Sequence, residues 1–178
     1  PHFFAVDALR ELVNDKTRVI VVNFPHNPTG ATLNVEDWHA VLEIAAEVGA
    51  WVLSDEMYRG LEHGGPPVRL SAAYESDYER AISLCGLSKR HGLPGLRTGW
   101  LATRSHTLMS KLRLLKDYTT ICAPGPAEIL ALIGMEAQAH LTERSLETIR
   151  AGMTAWLSLV RRFPAYFHDT LPKAGPIA

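Results

Sequence analysis

The chain has 178 residues, 47% of them hydrophobic and 21% charged, which is the composition of a globular domain with one sizeable core. Eighteen Lys and Arg against nineteen Asp and Glu leave a formal net charge of −1, which excludes a global electrostatic case for nucleic acid or an anionic membrane. An anionic ligand has to be held by local groups. The two cysteines, Cys85 and Cys122, form no CxxC pair and the eight histidines no ligand-like spacing, so no metal site is expected. The apolar runs fall short of a membrane span, and Pro1-His2-Phe3-Phe4 is not a signal peptide, so no membrane partner and a cytoplasmic location are expected. A chain that starts on proline and ends in Gly-Pro-Ile-Ala reads as a piece of something longer.

In chain order, Ala5 to Asn14 is predicted as a short helix with Leu9, Leu12 and Val13 on one face. Val19 to Phe24 is a continuous apolar run, the pattern of a strand buried on both faces, and it stops at the turn cluster Pro25-His26-Asn27-Pro28-Thr29-Gly30. A helix follows, with Asn34 as its cap, Asp37 in its first turn and Leu33 with Trp38 as a hydrophobic staple. Trp38, Val41, Leu42 and Ala45 form its buried face, and Gly49 ends it. Trp51 to Ser54 is a second strand from which Asp55-Glu56-Met57-Tyr58 emerges. Arg59 to Tyr78 is irregular, Ala81 to Cys85 a third strand and Trp100 to Ala102 a fourth. The remainder is helical: Ser105 to Tyr118, an almost wholly apolar and therefore buried Pro126 to Glu136, and a long helix from Leu141 to Phe163.

Strand, helix, strand, loop, strand is the pattern of an α/β domain with a mostly parallel sheet, whose ligands sit outside the carboxyl ends of the strands. That rule selects Asn27, the Asp55–Tyr58 stretch and Lys89. Lys89 opens a glycine-punctuated loop, Gly86 to Gly99, that also holds Ser88 and Arg97. An amine at a strand end suits imine chemistry, and a fixed guanidinium suits a phosphate. Pyridoxal phosphate needs those two groups, a carboxylate for its pyridine nitrogen and donors for its ring oxygen. Lys89, Arg97, Asp55 and the pair Asn27 and Tyr58 are of those types.

Asn-Pro-Thr-Gly at 27–30, Asp55 with Tyr58 three residues on, and Ser88-Lys89 with Arg97 eight residues later are in the order seen in one family. The chain resembles the fold-type I, class I/II aminotransferases that use pyridoxal phosphate. The resemblance implies the three-layer α/β large domain of that fold over residues 1–140, with 141–178 as the long interdomain helix and the start of a small domain. It implies that Asn27 and Tyr58 bind the ring oxygen and that Asp55 pairs with the pyridine nitrogen. By the same resemblance Lys89 forms the internal aldimine and Arg97 binds the phosphate. Lys89, Asp55 and Tyr58 are then the catalytic set; Asn27, Ser88 and Arg97 complete the cofactor set. One departure stands out. The family often has Ser or Thr three residues before the lysine as a phosphate ligand, and here that residue is Gly86. Ser88 either takes part of that role or caps a turn. His26 and His91 read as packing or solvent-facing residues, Arg90 as a solvated charge in preference to a second phosphate contact, and Glu56 as facing away from the ring.

The implied partners are an amino acid, a 2-oxo acid and a second copy of the full-length protein, with no nucleic acid. The implied activity is amino-group transfer by that protein. The 178 residues alone are expected to be inactive, because family members are longer and take the substrate-carboxylate arginine from a later segment. Two alternatives remain. One is a lyase, cyclase or synthase of the same family, since Lys116 to Ile121 and Ala123-Pro124-Gly125 resemble enzymes that build unusual amino acids. The other is a non-catalytic aminotransferase-like sensing domain of a transcription regulator.

Overall fold

The computed structural model describes residues 4–64, 71–74, 76–167 and 171–177. Gly65, Pro66 and Pro67 of the irregular segment lie outside the described residues. The elements run α1 (Val6–Leu12), β1 (Val19–Asn23), α2 (Val35–Val48), β2 (Trp51–Asp55), β3 (Ala81–Gly86), a 3₁₀ turn (Pro94–Leu96), β4 (Gly99–Thr103), α3 (His106–Thr119), α4 (Gly125–Glu136) and α5 (Gln138–Arg162).

The sheet is ordered β1-β2-β3-β4, with β1, β2 and β3 parallel and β4 antiparallel to β3. A parallel partner needs a long crossover, and the connection between β3 and β4 is a 12-residue loop, residues 87–98, with only one 3₁₀ turn. The chain therefore leaves β3 at the sheet's carboxyl edge and re-enters at the same edge, where Gly86 pairs with Gly99. Lys89 and Arg97 are held at that edge by the topology.

Register decides what each face carries. Ile20, Val52 and Ala81 align, as do Val22, Ser54 and Ser83, and all six are buried. That face packs on α2, whose Trp38, Val41, Leu42, Ile44 and Ala45 are buried. Burying each of the larger side chains contributes about 1.5–3 kcal/mol. On the other face Val19 and Val21 stay exposed, so β1 is buried on one face and not on both as its apolar run predicts, while α3 lies along β4. Arg10 clasps Glu47 and so ties α1 to α2.

The local signals of α2 are all used. Asn34 Oδ1 accepts the Asp37 N–H at 2.6 Å, Leu33 is buried beside Trp38, and Gly49 closes the helix at φ 66°. Replacing Asn34 with Ala removes that cap and is expected to lower stability by about 1 kcal/mol, read as a shift of the urea midpoint with the slope unchanged.

Two helices depart from expectation. α4 was expected to be buried, yet only Ala131 and Gly134 are buried in it, and Ile129, Leu130, Leu132 and Ile133 are all more than half exposed. Nothing among the described residues covers them. α5 carries an apolar stripe of Leu146, Ile149, Met153, Trp156 and Val160, of which only Val160 is buried; Thr142 is the other buried residue of the helix. Past α5 the chain returns to its beginning: the Lys173 and Ala174 N–H groups donate to the Gly30 carbonyl at 3.0 and 3.1 Å, and Gly175 N–H to the Leu61 carbonyl at 3.0 Å. Gly30 permits this, because a Cβ there would lie 2.2 Å from Pro172 Cβ and its φ is +65°.

No helix among the described residues is long and apolar enough to cross a membrane. No group of three His, Cys, Asp or Glu among them could hold a metal.

Candidate functional site

β1, β2 and β3 end in one row, with Asn23, Asp55 and Leu84 in register. β1 runs into the turn 24–30, which His26 closes: its carbonyl accepts the Gly30 N–H and its N–H donates to Ala31, both at 2.8 Å, while its Nδ1 meets Thr29 Oγ1 at 2.7 Å. His26 is thus a turn and packing residue. Asn27 is left exposed at the tip, and its Nδ2 donates to the Tyr58 hydroxyl at 2.9 Å. Tyr58 is buried, and Lys89 Nζ lies 5.8 Å from the centre of its ring. Asn27, Tyr58 and Lys89, scattered over 62 positions of sequence, form one cluster.

Asn23, which sequence reading passed over, joins two of the selected residues through their backbones. Its Oδ1 accepts the Asn27 N–H at 3.1 Å and its Nδ2 donates to the Asp55 carbonyl at 3.4 Å. The available signal was an amide closing an otherwise apolar strand. Asp55 is half-buried, and its Oδ1 accepts the Met57 N–H at 3.1 Å, which fixes the carboxylate's orientation.

Glu56 faces the other way, as alternation along an extended chain requires. Only 2% exposed, it accepts from the Ser83 hydroxyl at 2.7 Å and the Ala72 N–H at 2.8 Å through Oε1, with Arg59 Nε 3.4 Å from Oε2. Cys85 Sγ lies 3.8 Å from the same carboxylate. Burial, and then the Glu56 charge, push the Cys85 thiol up to about 11, so it stays protonated and unreactive near neutral pH.

Backbone bonds that build the 86–99 loop include Leu87 to Thr98 at 3.1 Å, Leu93 to Leu87 at 3.0 Å and Gly92 to Lys89 at 3.1 Å. Arg97 sits at φ 53° after the 3₁₀ turn and donates to the Pro94 carbonyl at 3.0 Å. Ser88 and Arg97 line a cavity of ≈ 630 Å³ with Met57, Gly86, Leu84 and Trp100. Among the described residues neither hydrogen-bonds to the Asn27–Tyr58 pair; Met57, between Asp55 and Tyr58 in the chain, lines the same cavity. A Cβ on Gly86 would come within 3.2 Å of Met57 Sδ and Cε and of the Thr98 carbonyl. Met57 thus fills the space that a hydroxyl side chain would need at Gly86.

His91 is buried, and burial followed by the Arg90 charge holds it below the usual histidine range. Arg90 is half-buried and donates to Thr142 on α5 at 3.0 Å, so it is not the solvated charge that was expected.

Residues 2–157 match the family model described as aminotransferase class I and II. The chain belongs to that family. It is 38% identical over 143 residues to capreomycidine synthase of Streptomyces vinaceus, covering 80% of this chain and 36% of that protein. The solved N-succinyldiaminopimelate aminotransferase of Mycobacterium tuberculosis superposes with a TM-score of 0.79 at 27% identity, over 90% of this chain and 41% of that one. A PLP-dependent cyclase, OrfR, superposes with a TM-score of 0.81 at 29% identity, over 96% and 44%. The chain therefore spans well under half the length of the proteins it matches.

The fold is the fold-type I α/β large domain in part, and the cofactor of this aminotransferase family is pyridoxal phosphate. The donor set suits that cofactor. An amine stands over a phenol–amide pair at one end, and a guanidinium with a hydroxyl lines an open cavity at the other.

Proposed function

We propose that the protein containing this chain transfers an amino group between an amino acid and a 2-oxo acid. The observation that carries this reading is the Asn27–Tyr58–Lys89 cluster at the carboxyl ends of three parallel strands. When bound, pyridoxal phosphate supplies an aldehyde for an amine to join and a ring that takes up carbanion charge.

The rest is work for this chain's own residues. Asn27 donates to the Tyr58 oxygen, so the Tyr58 O–H is left to donate outward, toward the oxygen on the cofactor ring. Asp55, with one oxygen turned to the Met57 N–H, keeps its other oxygen for the ring nitrogen. Arg97 and Ser88 take the phosphate, and Gly86 leaves that end one hydroxyl short of the usual family set. Lys89 is the amine, and it carries the proton at the substrate's α-carbon. In this reading residues 1–140 belong to the cofactor domain and α5 leads out of it. The full-length protein works as a homodimer in the cytoplasm.

The test is to incubate the full-length protein with amino acids and 2-oxoglutarate. Reversible amino transfer supports the reading; consumption of an amino acid without amino transfer contradicts it. A specific observation favours a second reading in that event: similarity both to capreomycidine synthase and to a cyclase. The product would then be a cyclised or rearranged amino acid, made with no 2-oxo acid consumed.

Tyr58→Phe removes the outward hydrogen bond together with the acceptor of Asn27 Nδ2, and keeps the ring beneath Lys89. It is expected to weaken cofactor binding about 3- to 10-fold, as measured by fluorescence titration.

A further inference from the structure

Arg90, immediately after the lysine, joins three parts of the molecule. Its Nε donates to Thr142 Oγ1 on α5 at 3.0 Å. Its guanidinium lies over Gly60, two residues past Tyr58, where a Cβ would come within 2.7 Å of Nε and 2.8 Å of Cζ. The turn at Gly60 (φ +88°) brings its N–H to Glu62 Oε1 at 3.1 Å. On its own side Arg90 lies within the turn that the Gly92 to Lys89 bond closes.

The guanidinium keeps this place against opposition. Burial, and then the nearby Arg59 charge, hold its affinity for a proton below the ordinary arginine value. Thr142 matters to α5 in turn, being one of only two buried residues described in that 25-residue helix. The same turn meets α5 a second time, where the Arg144 guanidinium lies 3.1 Å from the place a Gly92 Cβ would occupy.

We propose that Arg90 is a positioning residue for Lys89, holding the lysine turn against both the Tyr58 turn and α5, so that the amine's place over Tyr58 depends on where α5 sits. The proposal deepens the proposed function and rests on Lys89 being the cofactor-bonding amine. A side chain that only braced the fold would change stability and nothing else. A positioning residue also changes the lysine turn itself and the protonation of the bonded amine.

The experiment uses the full-length protein and the variants Arg90→Ala, Arg90→Lys and Thr142→Val, the last of which removes only the accepting hydroxyl. Borohydride trapping on wild type comes first; if no cofactor is fixed on Lys89, the reading of Lys89 fails independently of the Arg90 contacts. In the cofactor-free protein, amide exchange at Gly92 and Leu93 is expected to quicken on the order of tenfold in Arg90→Ala and in Thr142→Val. In the loaded protein, the pH midpoint of the visible absorbance band is expected to move by about half a unit in both. Arg90→Lys keeps the charge without the Nε donor and is expected to behave like Thr142→Val. Lowered unfolding temperature with exchange and absorbance unmoved would overturn the proposal. A response in Arg90→Ala with none in Thr142→Val would overturn the link to α5. If Arg90→Ala does not fold, Thr142→Val decides.

Discussion

Lys89→Ala is expected to fold, to lose every covalent bond to the cofactor, and to lose turnover by about 10⁴-fold or more. The lysine is exposed on its turn, and among the described residues its Nζ has no hydrogen-bond or ion-pair partner, only the Tyr58 ring. Removing it therefore costs the fold little. On the proposed reading the catalytic cost is large because one group would serve as nucleophile and as proton carrier, and the proton role alone is worth about 10²–10⁴-fold. Lys116 offers no replacement in place. It lines the ≈ 630 Å³ cavity but is tied to Thr120 Oγ1 at 3.0 Å along α3. The measurements are a visible-band titration with cofactor and a steady-state assay, beside an unfolding curve that should overlay wild type.

Glu56→Ala is expected to act in the opposite way, through stability, at a cost of about 3–5 kcal/mol. That is a large share of the roughly 5–15 kcal/mol by which a domain is held. The carboxylate is 2% exposed, and it satisfies the Ala72 N–H, the Ser83 hydroxyl and the Arg59 guanidinium. Alanine leaves all three without it and opens a cavity beneath β2 and β3. Glu56→Gln keeps an acceptor for Ala72 and Ser83 and loses only the charge opposite Arg59, so it should cost less. Urea unfolding of the three proteins gives the order. If Ala and Gln cost the same, the charge opposite Arg59 carries the effect rather than the two hydrogen bonds.

How far each feature could be read from the chain depended on how local its cause is. α2 was legible in full, because cap, staple, apolar face and terminating glycine all lie within 17 residues of one another. The three parallel strands were legible as apolar runs, and the strand-end rule then selected Asn27, Asp55, Tyr58 and Lys89. The direction of β4 was not legible, since loop length sets it rather than the strand's own residues. α4 was read as buried from its composition. Hydrophobicity says that Ile129 and Leu132 favour cover, but not that this stretch of chain provides it. Asn23 has no role in the sequence reading and Arg90 reads there as a solvated charge, because Asp55 and Thr142 lie 32 and 52 positions away from them. Met57 looked like an ordinary apolar residue until the backbone placed it against Gly86.

Glu56 and Asp55 show how the site and the fold are joined. Adjacent on one extended segment, they turn to opposite sides, one into the buried network and the other to the open strand ends. The network holds the strand pair, and the strand pair sets the carboxylate. A loosened Glu56 network should therefore weaken cofactor binding as well as stability.

The central claim is that Lys89 is the amine that bonds pyridoxal phosphate. Reducing the full-length protein with borohydride in the presence of the cofactor, then digesting it and mapping the peptides by mass, tests this directly. The cofactor's added mass is expected on the peptide containing Lys89 and is expected to be lost in Lys89→Ala. Added mass on Lys116 or another lysine, or none on any lysine, would contradict it.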